Sequence, residues 1–335
     1  MAGVLRRRRL LAVVALLALL VLVALASLAI GAKPIPIGVV WDAIFSPTGT
    51  EDDIVVRSLR TPRTILGIGV GVALGVAGAL MQGHTRNPLA EPGLLGVSNG
   101  AAFLVVIGIY ALGVTSLYGY VWFAFAGAFA ASVLVFLLGS LGRGGPTPVT
   151  LALAGVAVSY LLAALTSALV LADTQTLDAY RFWAVGSLAG RDAGIAEQVA
   201  PFLVIGLLLA ASNAPGLNLL ALGEDVARGL GQRVQLTRWI GLIAITLLTG
   251  AAVAACGPIA FVGLVVPHVA RFLTGPDYRW LLPASGLAGA VLLLAADVLG
   301  RVVVRPGELQ VGIVLALVGA PFLIALVRRR KLVTL

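Results

Sequence analysis

The side chains with the greatest chemical reactivity are few in this 335-residue sequence, and they lie far apart. The two histidines, His84 and His268, lack the spacing of metal ligands. Cys256 is the single cysteine, so no intrachain disulfide can form. The two lysines, Lys33 and Lys331, do not follow a glycine, so the chain lacks a phosphate-binding Gly-Lys-Ser/Thr loop. We therefore expect no metal site, no cofactor and no catalytic site.

Asp297 is the main candidate for a charged residue inside an apolar helix, where such residues usually mark ion pathways. Arg301 follows four residues later, on the same face of a helix, where its guanidinium can pair with the carboxylate. A structural ion pair is favoured here over a proton relay, which argues against a proton-coupled carrier. Because the chain has no ATP-binding loop of its own, we expect a separate ATPase to drive any transport.

The elements that carry these residues are long apolar segments. Apolar residues make up 60% of the sequence and charged residues 11%, whereas a soluble protein carries about 25% charged residues. Successive apolar runs of about 17–25 residues are each long enough to cross a bilayer. The expected fold class is therefore all-α, a polytopic membrane protein with one transmembrane domain over residues 1–335. Ten helices are predicted, over residues 10–30, 64–82, 93–112, 119–139, 149–171, 195–212, 239–256, 259–273, 281–300 and 309–327.

The positive charges set the expected orientation. Arginines at residues 6–9, and the basic run at residues 328–331, place both termini in the cytoplasm. The formal charge of +9 lies mainly in short loops, as expected for topology rather than for nucleic-acid binding. Four arginines at predicted outer helix ends break this pattern. They are Arg60, Arg63, Arg301 and Arg305.

Two polar stretches interrupt the apolar runs at the predicted cytoplasmic side. Residues 86–92 form a turn, because Pro88 and Pro92 each lack an N–H and restrain the preceding residue. Within residues 213–238 an apolar residue recurs every four positions, and Gly223 and Gly231 flank a short amphipathic helix, which suggests docking to a partner. The apolar residues are Leu222, Val226, Leu230 and Val234.

Short motifs occur in a fixed order from about residue 34 to residue 327. They are Arg60-Thr61-Pro62-Arg63, Met81-Gln82, residues 86–93, residues 96–101, residues 181–187, Leu222-Gly223-Glu224 with Ala227 and Leu230-Gly231, residues 257–264, Pro267-His268 with Arg271, Ala296-Asp297 with Arg301, and residues 319–322. In type and order these motifs resemble those of the FecCD family of ABC importer permeases, the type II importer subunits for ferric siderophores, haem and vitamin B12.

The resemblance implies a vitamin B12 permease-like fold of about ten helices per subunit. It implies three kinds of partner: ATP-binding cassette ATPase subunits, an extracytoplasmic substrate-binding protein, and a second permease subunit that is identical or a related paralogue. It also implies a multi-pass protein of the cytoplasmic membrane of a bacterium or archaeon. In such a system the chain is a transport subunit, and ATP hydrolysis belongs to the separate ATPase.

The resemblance also implies three sets of site residues. In the coupling segment, residues 213–238, the residues that contact the ATPase are Leu222, Gly223, Glu224, Ala227, Arg228, Leu230 and Gly231. In the gate turn, residues 86–92, the cytoplasmic gate is Asn87, Pro88 and Leu89. Carboxylates of the binding protein dock onto Arg60, Arg63 and Arg301, which explains these outer positive charges. The alternative for these arginines is a headgroup contact or a local ion pair.

Different motifs of the sequence resemble permeases for different substrates. Residues 87–101 look like the vitamin B12 permease, whereas residues 181–187 look like siderophore permeases. A second gate element is polar in the vitamin B12 permease but reads Pro148-Val149 here. We favour a ferric siderophore, with vitamin B12 or haem as the alternative. A passive channel or a secondary carrier is the alternative from another class, and a membrane-embedded enzyme ranks third.

Overall fold

Helices form almost all of the regular structure in the computed structural model of this chain, which describes residues 2–114, 116–141, 147–305 and 307–328. The α-helices are α1 (Ala2–Ala29), α2 (Ile37–Phe45), α3 (Glu51–Ile54), α4 (Thr61–Thr85), α5 (Val97–Leu112), α6 (Leu117–Ser140), α7 (Pro148–Ala172), α8 (Thr174–Ala184), α9 (Ala193–Leu220), α10 (Glu224–Gly229), α11 (Val234–Cys256), α12 (Val262–Thr274), α13 (Tyr278–Val303) and α14 (Val311–Arg328). A π-helical turn, Val55–Arg60, joins α3 to α4, and a 3₁₀ turn, Pro92–Leu95, precedes α5.

The ten predicted membrane helices correspond in order to ten helices of the structure. Within the described residues, seven helices are long and apolar enough to cross a membrane, and three shorter apolar helices lie at α5, α12 and α14. The all-α fold class is therefore confirmed. The basic turn at residues 142–144 and the basic residues 329–331 lie outside the described residues.

The predicted start of the third membrane helix at residue 93 is wrong. The helix α5 begins at Val97, because Gly96 has a left-handed backbone (φ +71°) that ends the preceding 3₁₀ turn. Glycine adopts this conformation without the steric cost that a Cβ brings. Gly93 and Gly96 therefore do not share a helix face with Gly100, although the sequence spacing suggests that they do.

The boundaries of the coupling segment also differ from the prediction. Helix α9 continues to Leu220 through Pro215, and α11 already begins at Val234, so the segment holds helical residues at both ends. Asn213 lies at the predicted start of the coupling segment, but it is buried within α9 and its Nδ2 donates to the carbonyl oxygen of Thr237 at 2.7 Å. The donor group of this side chain therefore has a partner inside the protein, whereas its Oδ1 has none among the described residues. The amphipathic helix is short, covering only Glu224–Gly229.

Three helices were not predicted. They are α2, α3 and α8, and each lies in a segment between two predicted membrane helices. Helix α8 is capped by Asp173, whose carboxylate accepts a hydrogen bond from the backbone N–H of Thr176 at 2.7 Å. An aspartate at this position satisfies a backbone donor that the helix leaves unpaired.

Helix α4 is the centre of the packing, with α9, α11, α12 and α13 around it. Its glycines permit the closest contacts. A Cβ on Gly71 would overlap the backbone of Ala290 in α13, and a Cβ on Gly78 would overlap the backbone of Gly263 in α12. Small residues allow helix backbones to approach closely, and here they hold the gate turn, which follows α4, against the rest of the bundle.

Candidate functional site

The predicted cytoplasmic gate is a tight turn that begins where α4 ends. Arg86 ends the helix in a left-handed conformation (φ +48°). The side-chain oxygen of Asn87 then accepts a hydrogen bond from the backbone N–H of Leu89 at 2.9 Å, and its carbonyl accepts from Ala90 at 3.0 Å. Asparagine side chains commonly stabilise turns in this way. The residue type at position 87 therefore has a local structural reason, in addition to its predicted role in the gate.

Arg86 connects the gate turn to the coupling segment. Its Nη2 donates to the carbonyl oxygen of Leu220 at 2.8 Å. Leu220 is the last residue of α9, where helix carbonyls have no partner within the helix. Arg86 directly precedes Asn87 in the motif, but its contact with Leu220 spans 134 residues, so no local pattern predicts it. The structure thus brings the gate turn and the coupling segment together through one charged hydrogen bond.

The coupling segment presents an apolar surface around a polar network. Leu222, Val226 and Leu230 have exposed fractions of 62%, 49% and 61%, whereas Ala227 is buried. Val234, predicted on the same face, is buried as the first residue of α11. Exposed apolar side chains grouped in this way mark an interaction surface.

Glu224 holds this short helix in place. Its carboxylate accepts hydrogen bonds from Arg228 at 2.8 Å and from Arg238 of α11 at 3.0 Å. The backbone on either side turns through two glycines with positive φ, Gly223 (φ +115°) and Gly231 (φ +81°). Side chains other than glycine rarely adopt such angles, which explains why glycines flank the helix. The predicted coupling residues therefore lie together, joined to α11 by an ion pair.

The three predicted docking arginines also lie together, at the opposite end of the bundle. Arg60 donates to the carbonyl oxygens of Leu28 at 2.7 Å and Ala29 at 2.8 Å. Arg301 donates to the carbonyl oxygen of Ser27 at 2.7 Å. These carbonyls belong to the last turn of α1, which has no helical partner for them. Both guanidinium groups therefore satisfy the end of α1.

Asp297 joins two of these arginines. Its carboxylate accepts from Nη2 of Arg63 at 2.7 Å and from Arg301, and Arg63 also pairs with Glu308 at 2.7 Å. Arg301 and Asp297 have exposed fractions of only 2% and 1%. The predicted pairing of Asp297 with Arg301 is present, and the local ion pairs that we considered as the alternative for the outer arginines are formed as well. Glu308 was not found from the sequence, because its contact spans 245 residues.

The same arginines border an open cleft of about 510 Å³, which we call the outer cleft. It also contains Arg191, a buried arginine of the loop between α8 and α9 that no sequence motif indicated. The charged residues that line it are Lys33, Glu51, Arg60, Arg63, Arg191, Asp192, Arg301 and Glu308. Five of these eight side chains carry positive charge, so the cleft is suited to an acidic partner.

Two of the remaining motifs, residues 181–187 and 257–264, meet where α11 turns into α12, at residues 257–261, which we call the corner. Ser187 donates its N–H to the carbonyl oxygen of Cys256 at 2.8 Å, and Gly312 donates to Gly186 at 3.1 Å. These bonds join the segment after α8 to the end of α11 and to the start of α14. Motifs that lie far apart in the sequence are therefore neighbours in the structure.

The family model described as the FecCD transport family matches residues 19–329. The chain belongs to this family of transport proteins, and it is a transport subunit. It is 48% identical over 330 residues to the ferric enterobactin transport system permease protein FepD of Escherichia coli (strain K12), with 98% of each chain covered.

Other relatives are named for different cargoes. The probable siderophore transport system permease protein YfiZ of Bacillus subtilis (strain 168) is 39% identical, with 91% of each chain covered. The cobalamin import system permease protein BtuC of Halobacterium salinarum is 38% identical, with 91% of this chain and 85% of that protein covered. A solved structure of a metal-chelate type ABC transporter in an inward-facing conformation matches with a TM-score of 0.83 and 31% identity, covering 96% of this chain and 99% of that one.

Proposed function

We propose that this chain is the membrane-spanning subunit of an ATP-driven importer that moves a ferric siderophore from a binding protein into the cytoplasm. The observation that carries this proposal is the 48% identity, over nearly the whole of both chains, to a permease named for ferric enterobactin. The proposed location is the cytoplasmic membrane of a bacterium or archaeon. The proposed assembly contains a second permease subunit, either a copy of this chain or a related paralogue.

The exposed side chains of Leu222, Val226 and Leu230 are the proposed contact for the ATPase subunit. Their apolar surface can enter a groove on a soluble partner, as amphipathic helices commonly do. Glu224 joins this surface to α11 through Arg238, and the direct chain connection joins it to α9. A displacement of α10 by the ATPase is therefore expected to move the cytoplasmic ends of both membrane helices.

The gate turn is the proposed cytoplasmic barrier, formed by Asn87, Pro88 and Leu89. The hydrogen bond from Arg86 to Leu220 supports this role, because it places the turn one contact away from the end of α9. A movement of α9 that follows ATP binding or hydrolysis would act directly on the turn. Movement at the ATPase contact would thus reach the barrier through α9 and the hydrogen bond of Arg86.

The outer cleft is the proposed docking site for the binding protein. Arg60, Arg63 and Arg301 line it, and a carboxylate on the partner would add a second acceptor to guanidinium groups that are already held in place. Charge complementarity of this kind steers association and fixes orientation more than it adds affinity. The buried contacts with α1 and Asp297 fix the position of these arginines before the partner arrives.

The test of the cargo is uptake into vesicles that hold this permease, its ATPase and its binding protein. A ferric siderophore, haem and cobalamin are offered separately, each with ATP inside or outside the vesicle as the orientation requires. We expect uptake of a ferric siderophore alone. Uptake of cobalamin or haem in its place would overturn the siderophore assignment and leave the importer assignment standing.

A further inference from the structure

The last residues of the gate turn are joined to the corner by a single polar side chain. Glu91 accepts a hydrogen bond through Oε1 from the backbone N–H of Phe261 at 2.8 Å. The two residues are 170 positions apart in the sequence. Glu91 is not one of the residues predicted for the gate or for the coupling segment. Its contact with Phe261 therefore needs its own explanation.

Phe261 is an unusual residue to receive such a contact. It has a left-handed backbone (φ +69°), one of two positive φ angles outside glycine among the described residues, and it directly precedes α12. A left-handed conformation is costly for a residue with a Cβ. The first N–H groups of a helix also lack partners within the helix. Glu91 satisfies this N–H, and the hydrogen bond favours the conformation that the corner needs.

The two segments pack closely around this hydrogen bond. A Cβ on Gly263 would come within 2.7 Å of the Cδ of Pro92, so the backbone of α12 lies directly against the end of the gate turn. On the other side lies a cavity of about 330 Å³ that Glu91, Thr249 and Pro258 help to line. The Thr249 hydroxyl is buried and has no hydrogen-bond partner among the described residues. The cavity leaves space beside the corner, and Glu91 is a side chain that both lines this space and contacts the corner.

The corner in turn contacts the last membrane helix. The ring of Phe261 packs against the backbone of Gly319 in α14, where a Cβ would overlap the ring. The gate turn is therefore held at both of its ends. Arg86 joins its first residue to α9, and Glu91 joins its later part to the corner and, through Phe261, to α14.

We propose that Glu91 is a positioning residue for transport, which fixes the gate turn to the corner so that both move together with α14 when the gate opens. This proposal rests on the proposed function, because it assigns the route by which a movement at the ATPase contact reaches the far side of the gate. Glu91 fills this role because its side-chain oxygen accepts a hydrogen bond, and its negative charge is not required. A carboxamide oxygen in the same place meets that requirement.

The test compares Glu91→Ala with Glu91→Gln in the assembled transporter. Backbone amide exchange is measured over residues 87–91 and 257–263, with and without a non-hydrolysable ATP analogue. In the wild-type protein and in Glu91→Gln, we expect the analogue to change exchange in both segments. In Glu91→Ala, we expect the change at residues 87–91 to remain and the change at residues 257–263 to be lost. This measurement needs no cargo, so it is independent of the siderophore assignment.

Transport supplies the second readout. We expect the ratio of cargo imported to ATP hydrolysed to fall about tenfold in Glu91→Ala, the effect of losing one hydrogen bond of about 1.4 kcal/mol, and to stay within about twofold in Glu91→Gln. The control is Glu197→Ala, which removes an exposed carboxylate of α9. A joint change of both segments in Glu91→Ala would overturn the proposal. A Glu91→Gln variant as defective as Glu91→Ala would also overturn it, because the charge would then be the required property.

Discussion

Nη2 of Arg86 donates to the carbonyl oxygen of Leu220 at 2.8 Å, and this contact joins the first residue of the gate turn to the last residue of α9. Helix α9 leads directly into α10, where Leu222, Val226 and Leu230 are exposed. One helix end and one hydrogen bond thus connect the surface proposed for the ATPase to the turn proposed as the barrier.

Replacing Arg86 with glutamine should weaken the coupling between ATP hydrolysis and uptake. A hydrogen bond from a charged group contributes about 1.5–3 kcal/mol, so we expect at least a tenfold fall in cargo imported per ATP hydrolysed. ATP hydrolysis itself should continue, because the substitution lies away from the ATPase contact. The matched control is Arg279→Gln, which changes an exposed arginine at the start of α13. An unchanged ratio in Arg86→Gln would remove this hydrogen bond from the coupling route.

Replacing Glu224 with alanine should uncouple hydrolysis from transport while leaving the fold intact. The carboxylate pairs with Arg228 within α10 and with Arg238 of α11, so its loss removes the ion pair that joins α10 to α11. We expect the membrane helices to unfold at the same temperature as in the wild-type protein, and uptake to be lost. Asp225→Ala is the control, because this fully exposed carboxylate forms only a 3.7 Å pair with Arg228. Normal uptake by Glu224→Ala would refute the assignment of the coupling residues.

Replacing Asp297 with asparagine should destabilise the protein. The change leaves the guanidinium groups of Arg63 and Arg301 without their shared counter-charge, and Arg301 is fully buried. Breaking a buried ion pair from one side costs about 3–5 kcal/mol. The measurement is the thermal unfolding midpoint in detergent. Asp178→Asn, which breaks an exposed pair with Arg181, should change stability by no more than about 1 kcal/mol, and equal effects of the two substitutions would contradict the account.

Replacing Arg60 with glutamine should weaken docking of the binding protein. Arg60 lines the outer cleft, and we expect about a tenfold loss of affinity at low ionic strength, with a smaller loss in high salt because salt screens the attraction. Arg57→Gln is the control, since Arg57 is an exposed neighbour that does not line the cleft. Because Arg60 also binds the end of α1, the unfolding temperature is measured in parallel. Unchanged affinity of a stable Arg60→Gln protein at low salt would refute this docking residue.

Much of the fold was predictable because apolar runs long enough to cross a bilayer are a strong local signal. All ten predicted helices correspond in order to helices of the described residues, and so does the predicted short helix between Gly223 and Gly231. The sequence predicts that α9 ends at residue 212, whereas the helix continues to Leu220. Nδ2 of Asn213 donates to the carbonyl oxygen of Thr237 in α11, and a local pattern does not contain such a contact.

The candidate site was predictable in its residues but not in its contacts. The outer arginines were found because they break the charge pattern, and the pairing of Asp297 with Arg301 follows from helical spacing. The contact of Arg63 with Asp297 spans 234 residues, and that of Glu91 with Phe261 spans 170. Such contacts depend on the tertiary packing of α4, α12 and α13, which no spacing within one segment encodes.

The most direct test of ATP-driven import is the accumulation of a ferric siderophore in vesicles that contain the complete transporter. The uptake is followed with ATP, without ATP and with a non-hydrolysable analogue. The account predicts accumulation against a gradient with ATP only, in a fixed ratio to the ATP hydrolysed. Equal uptake in all three conditions, ending when the inside and outside concentrations match, would contradict the account and identify a passive channel.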